Sequence, residues 1–294
     1  MADVEPGGTV ALDLTTRKTY RYLRVSVVGM ALLLGTSLVI EMVWGDSPRL
    51  GSISAYYYTA VKAVFIGSLV AIGPAMIAIK GRPGWEDALL DLAGMVIPLV
   101  AFVPTPLKRG CDDGVATCLP PALVPGVENN VSALLVVGGV GLVFAWWSAQ
   151  PRGRAMTIAL LVATGVWLAF GLWFVLSRDT FLTGAHYASA ITFFVLIAGV
   201  AWINGRRAPE RGNVRGMTPR GYSGTYKVIS LLMVLTIVVA GALYAIAALS
   251  GFTLWFATIL VVEAILLVLF VVFWILQTAE NWNEEAVETA PPVP

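Results

Sequence analysis

Glu41, Ser54, Tyr57, Tyr58, Lys62, His186, Ser189 and Glu263 are the residues of this chain whose types and positions could do chemistry. All lie in or beside long apolar runs, where an ionisable group costs several kcal/mol unless it is paired or wetted. Residues 52–59 read SISAYYYT, a cluster of hydroxyls at the mouth of such a run. If a helix begins near Ser54, then Ser54, Tyr58 and Lys62 follow one another at i, i+4 and i+8 and share a face. Glu41, on the preceding antiparallel segment, is then placed to neutralise Lys62, with His186 and Ser189 at the same depth. These groups together make an outer-leaflet polar pocket between the first, second and sixth apolar runs, fit to bind a lipid or small amphiphile. The other reading of the same residues is that the tyrosines anchor the chain at an interface while Lys62 snorkels to the headgroups.

Glu263, in LVVEAILL, is expected near the middle of its apolar run. A carboxyl there either hydrogen-bonds a neighbouring helix or titrates as the coupling group of a proton-driven transporter. Asp91, one turn after Asp87, belongs to the headgroup level. Pro74 and Pro98 are expected to kink their helices and open space between them, and Gly138, Gly139 and Gly141 to allow close packing. Cys111 and Cys118, the only cysteines, share the segment LKRGCDDGVATCLPPALVPGVENN and either form a disulfide over an oxidising outer face or remain thiols. With a single histidine nearby in neither sequence nor loop, they do not form a metal site.

The elements that must position these groups follow from composition. At 58% hydrophobic and 13% charged residues, with a mean hydropathy of +0.81, the chain is far more apolar than a soluble domain. Eight runs are long enough to cross a hydrocarbon core about 30 Å thick: 23–44, 59–79, 88–105, 131–149, 155–176, 186–203, 228–249 and 253–277. The fold class expected is therefore an all-α integral membrane protein, an eight-helix bundle. Its parts are an N-terminal segment 1–22, a membrane domain 23–278 with outer loop 106–130 and inner loop 204–227, and a disordered acidic tail 279–294. The first run is too long for a cleaved signal peptide. Of the 19 basic residues, fourteen fall on one face of this topology. By the positive-inside rule that face, with both termini, is cytoplasmic, and the cell membrane is the expected location. Trp44, Trp146, Trp147, Trp173, Trp202, Trp255 and Trp274 sit near run ends, as an aromatic belt would.

Three elements carry a resemblance. SISAYYYTAVKAVFIGSLVAIG, EDALLDLAGMVIPLVAFVPT and HYASAITFF resemble a family of bacterial multi-pass membrane proteins bearing S-I-S-x-Y-Y-Y-T, A-G followed by V-A-x-x-P-T, and H-x-x-[SA]-A-x-x-F-F. More loosely, they are similar to the DRAM-like and Frag-like membrane proteins associated with lipid organisation. The resemblance covers the second, third and sixth runs and picks out Ser54, Tyr58, Pro104, Thr105, His186 and Ala190. It implies residues rather than a reaction.

Several function classes are excluded on ligand counts. A zinc hydrolase of the membrane needs three histidines and a bis-histidine haem needs two, whereas one is present. A retinal protein needs a lysine deep in its last helix. No phosphate-binding glycine loop or nucleotide domain is present for ATP-driven transport, no cofactor is called for, and nucleic acid is not an expected partner. A hydrolase built on Ser189 and His186 would need the two to meet across one helical turn. The remaining expectations are a non-enzymatic lipid or amphiphile binder, acting as receptor, lipid organiser or subunit of a membrane-protein complex or homo-oligomer, and a proton-coupled transporter using Glu263.

Overall fold

In the computed structural model the described residues are 6–79, 84–107, 117–148, 153–210 and 217–282. The chain is all-helical there, with a single antiparallel bridge, Leu107 to Cys118, as its only extended pairing. Eight α-helices follow in order: α1 (Pro6–Trp44), α2 (Lys62–Ala78), α3 (Trp85–Phe102), α4 (Val124–Ser148), α5 (Arg154–Leu176), α6 (Arg178–Arg207), α7 (Pro219–Ser250) and α8 (Thr258–Glu280). Six of these, all but α2 and α3, are long and apolar enough to cross a membrane, and together they define a multi-pass membrane-embedded protein. α2, at 17 residues, and α3, at 18, are about 26 and 27 Å long at 1.5 Å per residue, slightly less than a hydrocarbon core.

Local chemistry sets the helix ends. α3 follows Gly84, whose φ of 123° is open to glycine alone, and carries Glu86 and Asp87 in its first turn, where the helix dipole favours acids. Thr218 caps α7, its hydroxyl accepting from the Gly221 N–H, with Pro219 at the first helical position. α7 then stops at Gly251, a left-handed C-cap with φ of 68°. A single residue, Ser177, separates α5 from α6.

The helices pack as a closed ring in the order α1, α2, α3, α6, α7, α8, with α8 returning to α1. α4 and α5 form a hairpin outside that ring, against α3 and α6. The tightest crossing is α2 on α3. A Cβ on Gly94 would lie 2.6 Å from the Gly73 carbonyl oxygen and one on Gly73 2.8 Å from that of Gly94, so only glycine lets the two backbones approach this closely. The ring core is made by residues such as Val27, Met76, Ala93, Ile197, Met233 and Phe270. The apolar side chains left exposed, notably on α4, α5 and the second half of α7, face outward as lipid-contacting surface would.

Several expected boundaries move. α1 begins at Pro6, not near 23. The expected inner loop 204–227 is shorter, because α6 runs to Arg207 and α7 starts at Pro219. Part of the expected outer loop 106–130 is helical from Pro121. In each case polar or mixed residues extend an apolar helix past the bilayer-length run. α8 instead starts five residues later than its run, at Thr258, because Gly251–Ala257 is not helical. Trp274 is 1% exposed and packs on Phe273, in the core rather than in a belt.

Candidate functional site

The SISAYYYT stretch is a docking loop rather than the first turn of a span. Ser54–Tyr58 is a 3₁₀ turn, and Thr59 after it is extended (φ −117°, ψ −170°). The Thr59 hydroxyl donates to the Tyr56 carbonyl and accepts from the Val61 N–H, which offers the backbone an alternative to helix there. Ser54, Tyr58 and Lys62 therefore do not lie on one continuous helical face, a correction to the expected stripe.

What the serines face is Glu263. Ser52 Oγ donates to Glu263 Oε2 at 2.9 Å, Ser54 Oγ donates to Oε1 at 2.7 Å, and the Ile53 and Ser54 N–H groups also point at Oε2. Consecutive backbone amides with flanking hydroxyls make a cradle of donors, and here the group it holds is the chain's own Glu263 carboxyl. Gly51 completes the seam. Its carbonyl accepts from the Leu260 N–H at 2.8 Å, and a Cβ there would lie 2.2 Å from the Phe256 carbonyl oxygen. Glu263 is the sixth residue of α8, not at its middle, because the helix starts late.

A second set of bonds holds the other side of the loop. Tyr58 donates its hydroxyl to the Thr105 carbonyl at 2.8 Å, and the Thr105 and Tyr187 hydroxyls lie 2.7 Å apart. Burial, and then the neighbouring Tyr57 and Tyr187, push the Tyr58 phenol well above its usual range, so it stays a donor. His186, 2% exposed, places Nδ1 2.7 Å from the Val103 carbonyl, one of the orphan acceptors at the end of α3. Pro104 lies between Val103 and Thr105, and Ala190 follows on α6. The three motif elements thus meet at one end of the ring.

The remaining expected site residues divide. Tyr57 is buried, with Lys62 Nζ 4.8 Å from its ring centroid. No ion pair joins Lys62 to Glu41, so the expected neutralisation is corrected to a cation–π contact. Ser189 is fully buried and its Oγ has no hydrogen-bond partner, hence it is not bonded to His186 as a nucleophile to a base. Cys111 lies outside the described residues. Cys118 exchanges two 2.9 Å backbone bonds with Leu107.

Sequence reasoning missed a polar cluster at the other end of the ring. Glu86, 4% exposed, accepts from Asn204 Nδ2 at 3.0 Å and pairs with Arg207 at 3.3 Å. Tyr226 donates to Glu280 at 2.7 Å, and Ser223 to the Gly205 carbonyl at 2.6 Å. Its signals were available: an acidic pair opening α3, and an asparagine and a glutamate closing apolar helices.

The space able to take a ligand lies elsewhere again. A cavity of about 400 Å³ runs between α2–α3 and the α4–α5 hairpin. Pro74 and Pro98, expected to open space, line it. So do Gly94, Met95, Leu142, Ala163 and Trp167, with Asp91 as the charged group in its wall. At Leu99 it adjoins the buried cluster of Leu99, Val103, Val131, Phe174 and Phe181. Val137 and Met156 also line it and are exposed, so it communicates with the surface. Trp167 donates Nε1 to the Leu135 carbonyl at 3.0 Å and lies against Gly138 and Gly139. This fixes the hairpin and gives those two glycines the close-packing role expected of them. Beside Gly141 an added Cβ would meet nothing within 4 Å. None of Glu41, Ser54, Tyr57, Tyr58, Lys62, His186, Ser189 or Glu263 lines this cavity.

Fold and site together define a multi-pass α-helical membrane protein with a lateral, largely apolar crevice. Compared with family models, curated proteins and solved structures, the chain matches none.

Proposed function

We propose that this is an eight-span protein of the cell membrane, both termini cytoplasmic, that binds the hydrocarbon part of a lipid or small amphiphile without transforming it. In that role it acts as a lipid organiser, receptor or complex subunit, in keeping with the family its motif elements resemble. The observation that carries the reading is the crevice between α3 and the α4–α5 hairpin. Its volume of about 400 Å³ lies within the range of small-molecule sites, which are mostly apolar with few polar groups. It also opens where bilayer lipid is the surrounding solvent. The polar groups around SISAYYYT support a structural part of the same account. Their hydroxyls and amides are spent on Glu263 and on the carbonyls ending α3, leaving α4–α5 as the less tightly held element. Nothing in the bonding of Glu263 favours a transporter's coupling group, since its two oxygens are engaged by the loop. The test is lipid retention: native mass spectrometry of the detergent-purified protein should show bound lipid, and Gly141→Leu, at a cavity-lining position where an added Cβ meets nothing within 4 Å, should remove it. Equal retention by both proteins would reject the crevice as the site.

A further inference from the structure

The shape of the crevice bears on what it takes. Its wall runs from Ala88 to Leu99 on α3, from Leu134 to Ala145 on α4 and from Met156 to Phe170 on α5. At 1.5 Å per residue these stretches are about 16, 16 and 21 Å long, so the crevice lies along the helices. Its volume of about 400 Å³, spread over that length, leaves a mean cross-section of about 20–25 Å². That is the girth of one extended hydrocarbon chain, whereas a fused-ring sterol or a methyl-branched chain is wider. The crevice also opens sideways. α2 packs on α1 and α3, and α4 on α5 and α3, and the exposed Pro74 and Ile77 of α2 and Val137 and Gly141 of α4 line the slit between them. Its two ends differ in depth. Ala88, Ala145 and Met156 lie two or three residues from an end of their helices, at headgroup level. At the other end α4 and α5 extend ten and six residues past Leu134 and Phe170, so the crevice stops inside the bilayer, where a polar headgroup is costly. There the hairpin is tied to the ring by the 3.2 Å Arg178–Glu128 ion pair and the Phe174–Phe181 contact. Trp146, which donates to Thr164 at 3.1 Å, ties α4 to α5.

Resting on the proposed amphiphile reading, we infer that the crevice takes a single unbranched acyl chain that slides in between α2 and α4. The chain lies along the helices, its methyl end towards Leu134 and Phe170 and its carboxyl end beside Ala145 and Met156. A free fatty acid and one chain of a phospholipid share this chemistry.

The experiment is photo-crosslinking of the full chain in vesicles with hexadecanoate bearing a diazirine near its methyl end or near its carboxyl end. Each probe is used as the free acid and esterified as one chain of phosphatidylcholine, which tells the two sources apart; crevice adducts from either sustain the inference. Methyl-end probes should mark Leu134 and Phe170, and carboxyl-end probes Ala145 and Met156. These adducts should be lost in Gly141→Leu and under excess plain hexadecanoate. They should persist under its tetramethyl-branched analogue and under a sterol, while adducts on the exposed face of α7 stay unchanged throughout. The competition needs no variant and keeps the test usable if Gly141→Leu fails to fold. Equal competition by the branched acid or the sterol, or a reversed order of adducts along the crevice, would overturn this inference while leaving amphiphile binding intact. Adducts confined to α7 and other outward faces would overturn both.

Discussion

Ser54 and Glu263, 209 residues apart in the chain, are joined by a 2.7 Å hydrogen bond from hydroxyl to carboxylate. That contact locks the loop before α2 onto the start of α8 and closes one end of the helix ring. A carboxylate at this depth is tolerable only with such partners. Glu263→Gln sets an amide NH₂ against donors, leaving buried groups unsatisfied at a cost of about 1–3 kcal/mol. Thermal melts in detergent should show a clear drop for Glu263→Gln. Glu41→Gln, which breaks no ion pair, should melt within about 0.5 kcal/mol of the parent. The reverse order would mean that Glu41 carries the loop.

The crossing of α2 on α3 gives a second expectation. A Cβ at Gly94 would meet the Gly73 carbonyl at 2.6 Å and Ile77 Cγ1 at 2.7 Å, so Gly94→Ala should cost about 1–3 kcal/mol through overpacking. Gly29→Ala on α1, with nothing within 4 Å of the added carbon, should be neutral. Melts of the pair that coincide would contradict the close approach.

Topology is testable by reporter fusion. On the eight-span reading, a fusion at position 115 should report outside and one at 213 inside. A swapped result at either position would end that reading.

The two cysteines give a fourth. The Leu107–Cys118 bridge closes the base of the segment that contains Cys111, and on the outside-facing reading a Cys111–Cys118 disulfide forms there. Thiol labelling of intact cells should then appear only after reductant, whereas full labelling without it would reject the bond.

The helices were legible because a bilayer-length apolar run leaves the backbone few alternatives to helix. Ser54, His186 and Thr105 were legible as a group only because their motif elements were read together. What was hidden depended on bonds between distant segments. The Thr59 hydroxyl interrupts the helix that would have aligned Ser54 with Lys62, and nothing in LVVEAILL names the loop that binds Glu263. Likewise, the Glu86–Asn204 bond crosses 118 residues, which no local pattern could reveal. The prolines lining the crevice were visible, but not the hairpin that stands off beside them.

The crevice itself is most directly examined by a structure of the protein in a bilayer disc containing lipid brominated along one chain. The account predicts bromine density between α3 and the α4–α5 hairpin, beside Leu142, Ala163 and Trp167. Bromine found only around the outer surface of the helices, with the crevice closed, would contradict it.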